Sequence, residues 1–110
     1  MIYLASPYTH ASEAVMKWRH EQVVRATAEY IREGLLIFSP IVHSQPLEKY
    51  NLGFRWDEWR NWDLHMLDLA SELWVLCLDG WKESQGVQAE IRHARSKDKP
   101  VVHVWRNTER

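Results

Sequence analysis

The chain predicts a three-layer α/β domain: a flavodoxin- or Rossmann-like parallel sheet of about four to five strands, flanked by helices. Short apolar runs at Ile2–Ala5, Leu35–Phe38, Leu73–Leu78 and Pro100–Trp105 alternate with longer stretches of helical period. Alternation of this kind builds right-handed crossovers and parallel strand pairs. The length, 110 residues, suits one domain around a small core, and no repeat or low-complexity segment divides it.

Each element has its own signal. Ile2–Ala5 is a strand broken by Ser6-Pro7-Tyr8-Thr9-His10. From about Ser12 to Glu33, Val15, Trp18, Val23, Ala26, Tyr30 and Ile31 recur mostly at three- and four-residue spacings, and Gly34 suits the position after a helix end. Leu35–Phe38 is continuously apolar, as for a strand buried on both faces, and Ser39-Pro40 stops it. Residues 41–53 have no clear period and read as a loop with a short helical turn. A loop that long in a small domain covers something or carries function.

The helical period returns from Phe54 to about Ala70, with Trp56, Trp59, Asp63, Met66, Leu67 and Ala70 on one broad face. Asp63 is the odd member of that face. It reads as a boundary residue, as the partner of an arginine, or as an acid aimed into a pocket. Leu73–Leu78 is the third strand, Val87–Ser96 the third long helix and Pro100–Trp105 the fourth strand. Residues 106–110 form a polar tail expected to fray.

Composition removes several function classes. Fourteen Lys and Arg against fifteen Asp and Glu leave a net charge of −1, without the basic footprint of a nucleic-acid binder. No window approaches a membrane span and no signal peptide precedes the first strand, so a cytoplasmic setting is expected. The single Cys77 reads as a buried small hydrophobe. Seven Trp residues are many for this length. Trp56, Trp59, Trp62 and Trp74 would complete a thin core, line a site for a planar ligand, or cover a subunit interface.

Neither Gly-rich phosphate loop, G-x-G-x-x-G nor G-x-x-x-x-G-K-[ST], occurs, and no cofactor is expected. The six His residues show no metal-ligand spacing, and G-x-S-x-G is missing. What remains is carboxylates, hydroxyls and one helix start. Ser84-Gln85-Gly86 follows a strand-end loop, where free backbone N–H groups favour an anion and Ser84 adds a hydroxyl. Ser84 is equally a plain helix cap, and the two roles are compatible. Glu90, a turn further on, is placed to face back over the sheet edge, where ligands of open α/β sheets collect.

Three stretches, Tyr3-Leu-Ala-Ser-Pro-Tyr8, the run from Trp62 to Val75, and Ser84-x-Gly-Val-x-x-Glu90-Ile-x-x-Ala94, resemble the nucleoside 2-deoxyribosyltransferase superfamily. The Ser-Pro-Tyr-Thr-His opening and Ser39-Pro-Ile-Val-His-Ser44 are most similar to a short bacterial and phage branch. The resemblance implies that Glu90 is the nucleophile at the anomeric carbon. It implies that Asp63 positions the sugar and protonates the departing base. Ser84 matches the serine that meets the 5′-phosphate in the monophosphate N-glycosidases, with Gly86 beside it, while Tyr3, Ser6 and Tyr8 wall the pocket. Pro7 and Tyr8 replace the small Gly- and Arg-containing phosphate loop of those hydrolases, leaving His10, Arg19 or His43 as substitutes. The implied activity is hydrolysis of a (deoxy)ribonucleoside 5′-monophosphate. Base exchange between nucleosides, a non-catalytic nucleotide-binding module and a purely structural domain are the alternatives. The implied partners are a nucleoside or nucleotide and, in a homo-oligomer, further copies of the chain, with no nucleic-acid polymer and no membrane.

Overall fold

The computed structural model describes residues 1–106. Strand β1 (Ile2–Ala5) leads into helix α1 (Glu13–Arg32), then β2 (Ile37–Phe38). A short helix α2 (Pro40–Ser44) and a 3₁₀ segment (Gln45–Tyr50) precede α3 (Trp56–Leu69). Strand β3 (Glu72–Leu76), α4 (Gln85–Ser96) and β4 (Val101–Val104) complete the order. All strands are parallel, in the order β2-β1-β3-β4, with Tyr3 beside Phe38 on one flank and Leu73 on the other.

This is a three-layer Rossmann-like fold. The strands alternate side chains between two apolar layers, as period two requires. Tyr3, Ala5, Leu73 and Val75 pack against Leu67 and Ala70 at the end of α3 and against Val87, Ile91 and Ala94 of α4. Leu4 and Leu76 face the other way, onto Val23, Ala26 and Tyr30 of α1. The chain therefore leaves β1 toward one face and β3 toward the other. Between the carboxyl ends of those two neighbouring strands the fold opens a crevice, the place where ligands bind in open α/β sheets.

The local chemistry of the boundaries explains where the helices stop and start. Ser12, Ser39 and Ser84 each accept a bond from the backbone N–H three residues on, at 3.4, 3.1 and 3.2 Å. Gly34 takes φ +91°, and its N–H and that of Leu35 reach back to the carbonyls of Ile31 and Tyr30. That closes α1 with a left-handed residue, as the position of Gly34 predicts.

Four expectations are corrected. Leu35–Phe38 is not a strand buried on both faces: only Ile37–Phe38 pairs, at the sheet edge, and Leu36 is 75% exposed. Residues 41–53 are largely helical rather than loop, because Ser39 caps and Pro40 starts α2. Cys77 is half-buried, not buried, lying where β3 has just ended. Arg106 does not fray: it pairs with Glu29 and stacks 4.7 Å from the Tyr30 ring. The rest of the polar tail, 107–110, lies outside the described residues. Among the described residues, no helix is long and apolar enough to cross a membrane.

Candidate active site

Helix α4 carries a buried stripe of Val87, Glu90, Ile91 and Ala94, at the i, i+3, i+4, i+7 positions that face a core. Three of these are apolar; Glu90 is not, and it is only 6% exposed. A carboxyl buried this deeply needs a partner. Tyr3 supplies it: the pleat of β1 turns Tyr3 toward α4, and its hydroxyl donates to Glu90 Oε2. Two residues 87 apart in sequence thus meet beneath the crevice.

Helix α3 brings the second acid. It runs down from the carboxyl edge of the sheet, so its buried end carries Leu67 and Ala70 while its first two turns overhang the crevice. Asp63 lies one turn before Leu67, with Trp59 and Arg60 a turn earlier still. Asp63 Oδ1 is buried, with no hydrogen-bond partner among the described residues.

Around these groups lies a cavity of about 460 Å³. Its polar lining includes Ser6, Asp63, Ser84, Gly86 and Glu90. Trp56 and Trp59 of α3 add aromatic surface, and Pro40, Ile41, Ser44 and Glu48 of the segment after β2 also line it, as does Tyr8. The long segment after β2 therefore does wall something: this cavity.

Burial dominates the electrostatics. It lifts the Glu90 carboxyl to about 7, countered by the Tyr3 bond, with Asp63 adding to the rise and Arg60 opposing it. Burial likewise lifts Asp63 to about 6, opposed by Arg60. The Tyr3 phenol is driven well above its ordinary value by burial and then by the charge of Glu90, so it remains a donor. Two carboxyls that repel one another titrate as a pair. Between about 6 and about 7 the pair holds one proton, which rests mainly on Glu90, the higher of the two; acid and nucleophile chemistry draws on the minority form with that proton on Asp63.

A family model described as a domain of unknown function (DUF1937) matches residues 1–106. The chain belongs to the DUF1937 family. No curated protein matches it. The DUF1937 match spans all four strands and every residue of the cavity, so crevice and family unit coincide.

Within this DUF1937 domain the structure brings Ser6, Tyr8, Asp63, Ser84, Gly86 and Glu90 to one cavity, with Tyr3 bound to Glu90. His43 does not join them: it is exposed and stacks on Trp62, ring centroids 5.6 Å apart. Its place is corrected because α2 turns it outward toward α3. His10 and Arg19 are likewise unavailable to a ligand in the cavity. His10 Nδ1 accepts the Ser12 N–H at 2.9 Å. Arg19 is buried and donates to the carbonyls of Tyr8, Thr9 and Asp79 at 3.4, 3.1 and 3.0 Å, tying the two loops that flank the crevice. Among the described residues, no three His, Cys, Asp or Glu side chains cluster so as to hold a metal ion.

Sequence reasoning missed Arg60. Its one available signal was its spacing, three residues before Asp63 on the same helix face. The tryptophans divide by role: Trp56 and Trp59 line the cavity, Trp62 covers His43, and Trp74 packs edge-on to Tyr30 beneath α1.

Proposed function

We propose that this protein hydrolyses the N-glycosidic bond of a (deoxy)ribonucleoside 5′-monophosphate, with Glu90 as nucleophile and Asp63 as acid. The observation that carries the reading is the buried Glu90 carboxyl, held by the Tyr3 hydroxyl in the lining of a cavity that also contains Asp63. Breaking a C1′–N bond builds positive charge on the sugar, which an adjacent carboxylate stabilises and traps. The step runs from the form in which the shared proton has moved from Glu90 to Asp63: Glu90 forms a bond to C1′ as the C1′–N pair returns to the base, and the proton on Asp63 goes to that base. Ionised Asp63 then takes a proton from water as the water oxygen attacks C1′, which frees the sugar phosphate and restores the Glu90 carboxylate. Tyr3 keeps the Glu90 charge localised and aimed, because its hydrogen bond favours the ionised form. Trp56 and Trp59 offer flat apolar surface for the base. Exposed Phe54, Trp56 and Trp62 support a homo-oligomer as the working form.

Incubation with a panel of nucleoside 5′-monophosphates and free nucleosides, with and without a second base, tests the reading by chromatography of the bases. The expected result is base release from a monophosphate, reduced at least about a thousand-fold in Glu90→Ala. Formation of a swapped nucleoside would instead make the protein a transferase. Turnover unaffected by Glu90→Ala would overturn the assignment of Glu90.

A further inference from the structure

We infer that Arg60 is the anion-recognising residue of the crevice, and that with Ser84 and the first turn of α4 it takes a phosphate monoester. The inference rests on the proposed reading only for what the phosphate is attached to. Among the described residues, Arg60 is the one cationic side chain in the cavity wall. Its guanidinium lies over the Trp56 ring, 4.6 Å from the centroid. Among the described residues it makes no ion pair. A Cβ on Gly86 would lie 3.7 Å from Arg60 Nη2 and 3.9 Å from Ser84 Oγ. The absent side chain of Gly86 thus leaves a gap bounded by a guanidinium, a hydroxyl and the N–H groups that open a twelve-residue helix. A second feature points to a ligand. Ser6 lines the same cavity and is only 6% exposed, and its buried Oγ has no hydrogen-bond partner among the described residues.

The acidic members of the wall do not cancel this. Glu48 and Glu83 are exposed, where water and salt screen them. Asp63 and Glu90 share a proton near neutrality. The planar fork of arginine matches phosphate oxygens in a way a lysine cannot.

Titration of the full chain with inorganic phosphate, followed by calorimetry or by phosphorus line width, tests the inference directly. Arg60→Gln should weaken phosphate binding at least ten-fold, Arg60→Lys should recover part of it, and Glu90→Gln should retain it. Gly86→Ala should weaken phosphate binding while keeping or raising the melting temperature, because alanine suits a helix and its Cβ meets only ordinary contacts. Unchanged phosphate affinity in Arg60→Gln, or no phosphate binding by the native chain, would overturn the inference. Absence of base release from every nucleotide, with Arg60-dependent phosphate binding intact, would overturn the proposed hydrolysis and leave the anion site standing.

Discussion

Replacing Glu90 by Gln should make the protein more stable at alkaline pH and should flatten its stability profile. The folded protein holds the Glu90 proton up to about 7, against an ordinary value of 4.5. A carboxyl raised in this way contributes stability that is fully present below about 4.5 and is lost as pH rises through about 7. At about 1.4 kcal/mol per pH unit, the native chain loses roughly 2–3 kcal/mol through Glu90 between about pH 5 and pH 8. Gln has nearly the shape of Glu, accepts the Tyr3 hydroxyl through its carbonyl oxygen and never ionises. Urea unfolding of both proteins across this range should show the native curve falling below that of Glu90→Gln by about that amount. Asp63, raised in the same direction, leaves a smaller slope of the same sign in the variant. Curves that stay parallel within about 0.5 kcal/mol would refute a buried, proton-holding Glu90.

Three further outcomes follow from the same geometry. Base release should peak in a narrow band between about pH 6 and pH 7, falling below it as both carboxyls protonate and above it as both ionise; a profile still rising at about pH 9 would contradict the pair. Tyr3→Phe removes the bond that favours ionised Glu90, so the alkaline limb of that profile, set by Glu90, should move to higher pH, and stability should fall by about 1–3 kcal/mol. Gly80→Ala places a Cβ 2.4 Å from Arg19 Nη2 at a residue with φ +90°, so unfolding measurements should show a loss of about 1–3 kcal/mol together with a raised KM, as the tie between the crevice loops shifts.

The sheet was legible because its strands are short apolar runs between strong helical periods, and because Gly34, Ser84 and Pro40 punctuate them. Glu90 was legible from its position: a carboxylate in the first turns of the helix that follows a strand-end loop and Gly86, within the Ser84-x-Gly-Val-x-x-Glu90 pattern. Leu35–Phe38 misled because an apolar run says nothing about whether a neighbouring strand exists on its outer side, and β2 has none. His43 was misplaced because its direction depends on a five-residue helix nucleated by Ser39 and Pro40 rather than on a periodic pattern. Arg60 escaped notice because a charged residue near a helix start ordinarily points to water. Its place across Gly86 follows from the packing of α3 beside α4, a long-range fact with no local signature.

The central claim is that Glu90 bonds covalently to C1′ of a sugar phosphate. The direct measurement is mass spectrometry of the protein after incubation with 2′-fluorinated nucleoside 5′-monophosphates, in which the electron-withdrawing fluorine slows hydrolysis of a glycosyl ester. The account predicts a mass increase of one fluorinated sugar phosphate, mapped to the peptide containing Glu90 and absent in Glu90→Gln. An adduct mapped to another residue, or base release from the parent nucleotide with no adduct formed from its fluorinated form, would contradict it.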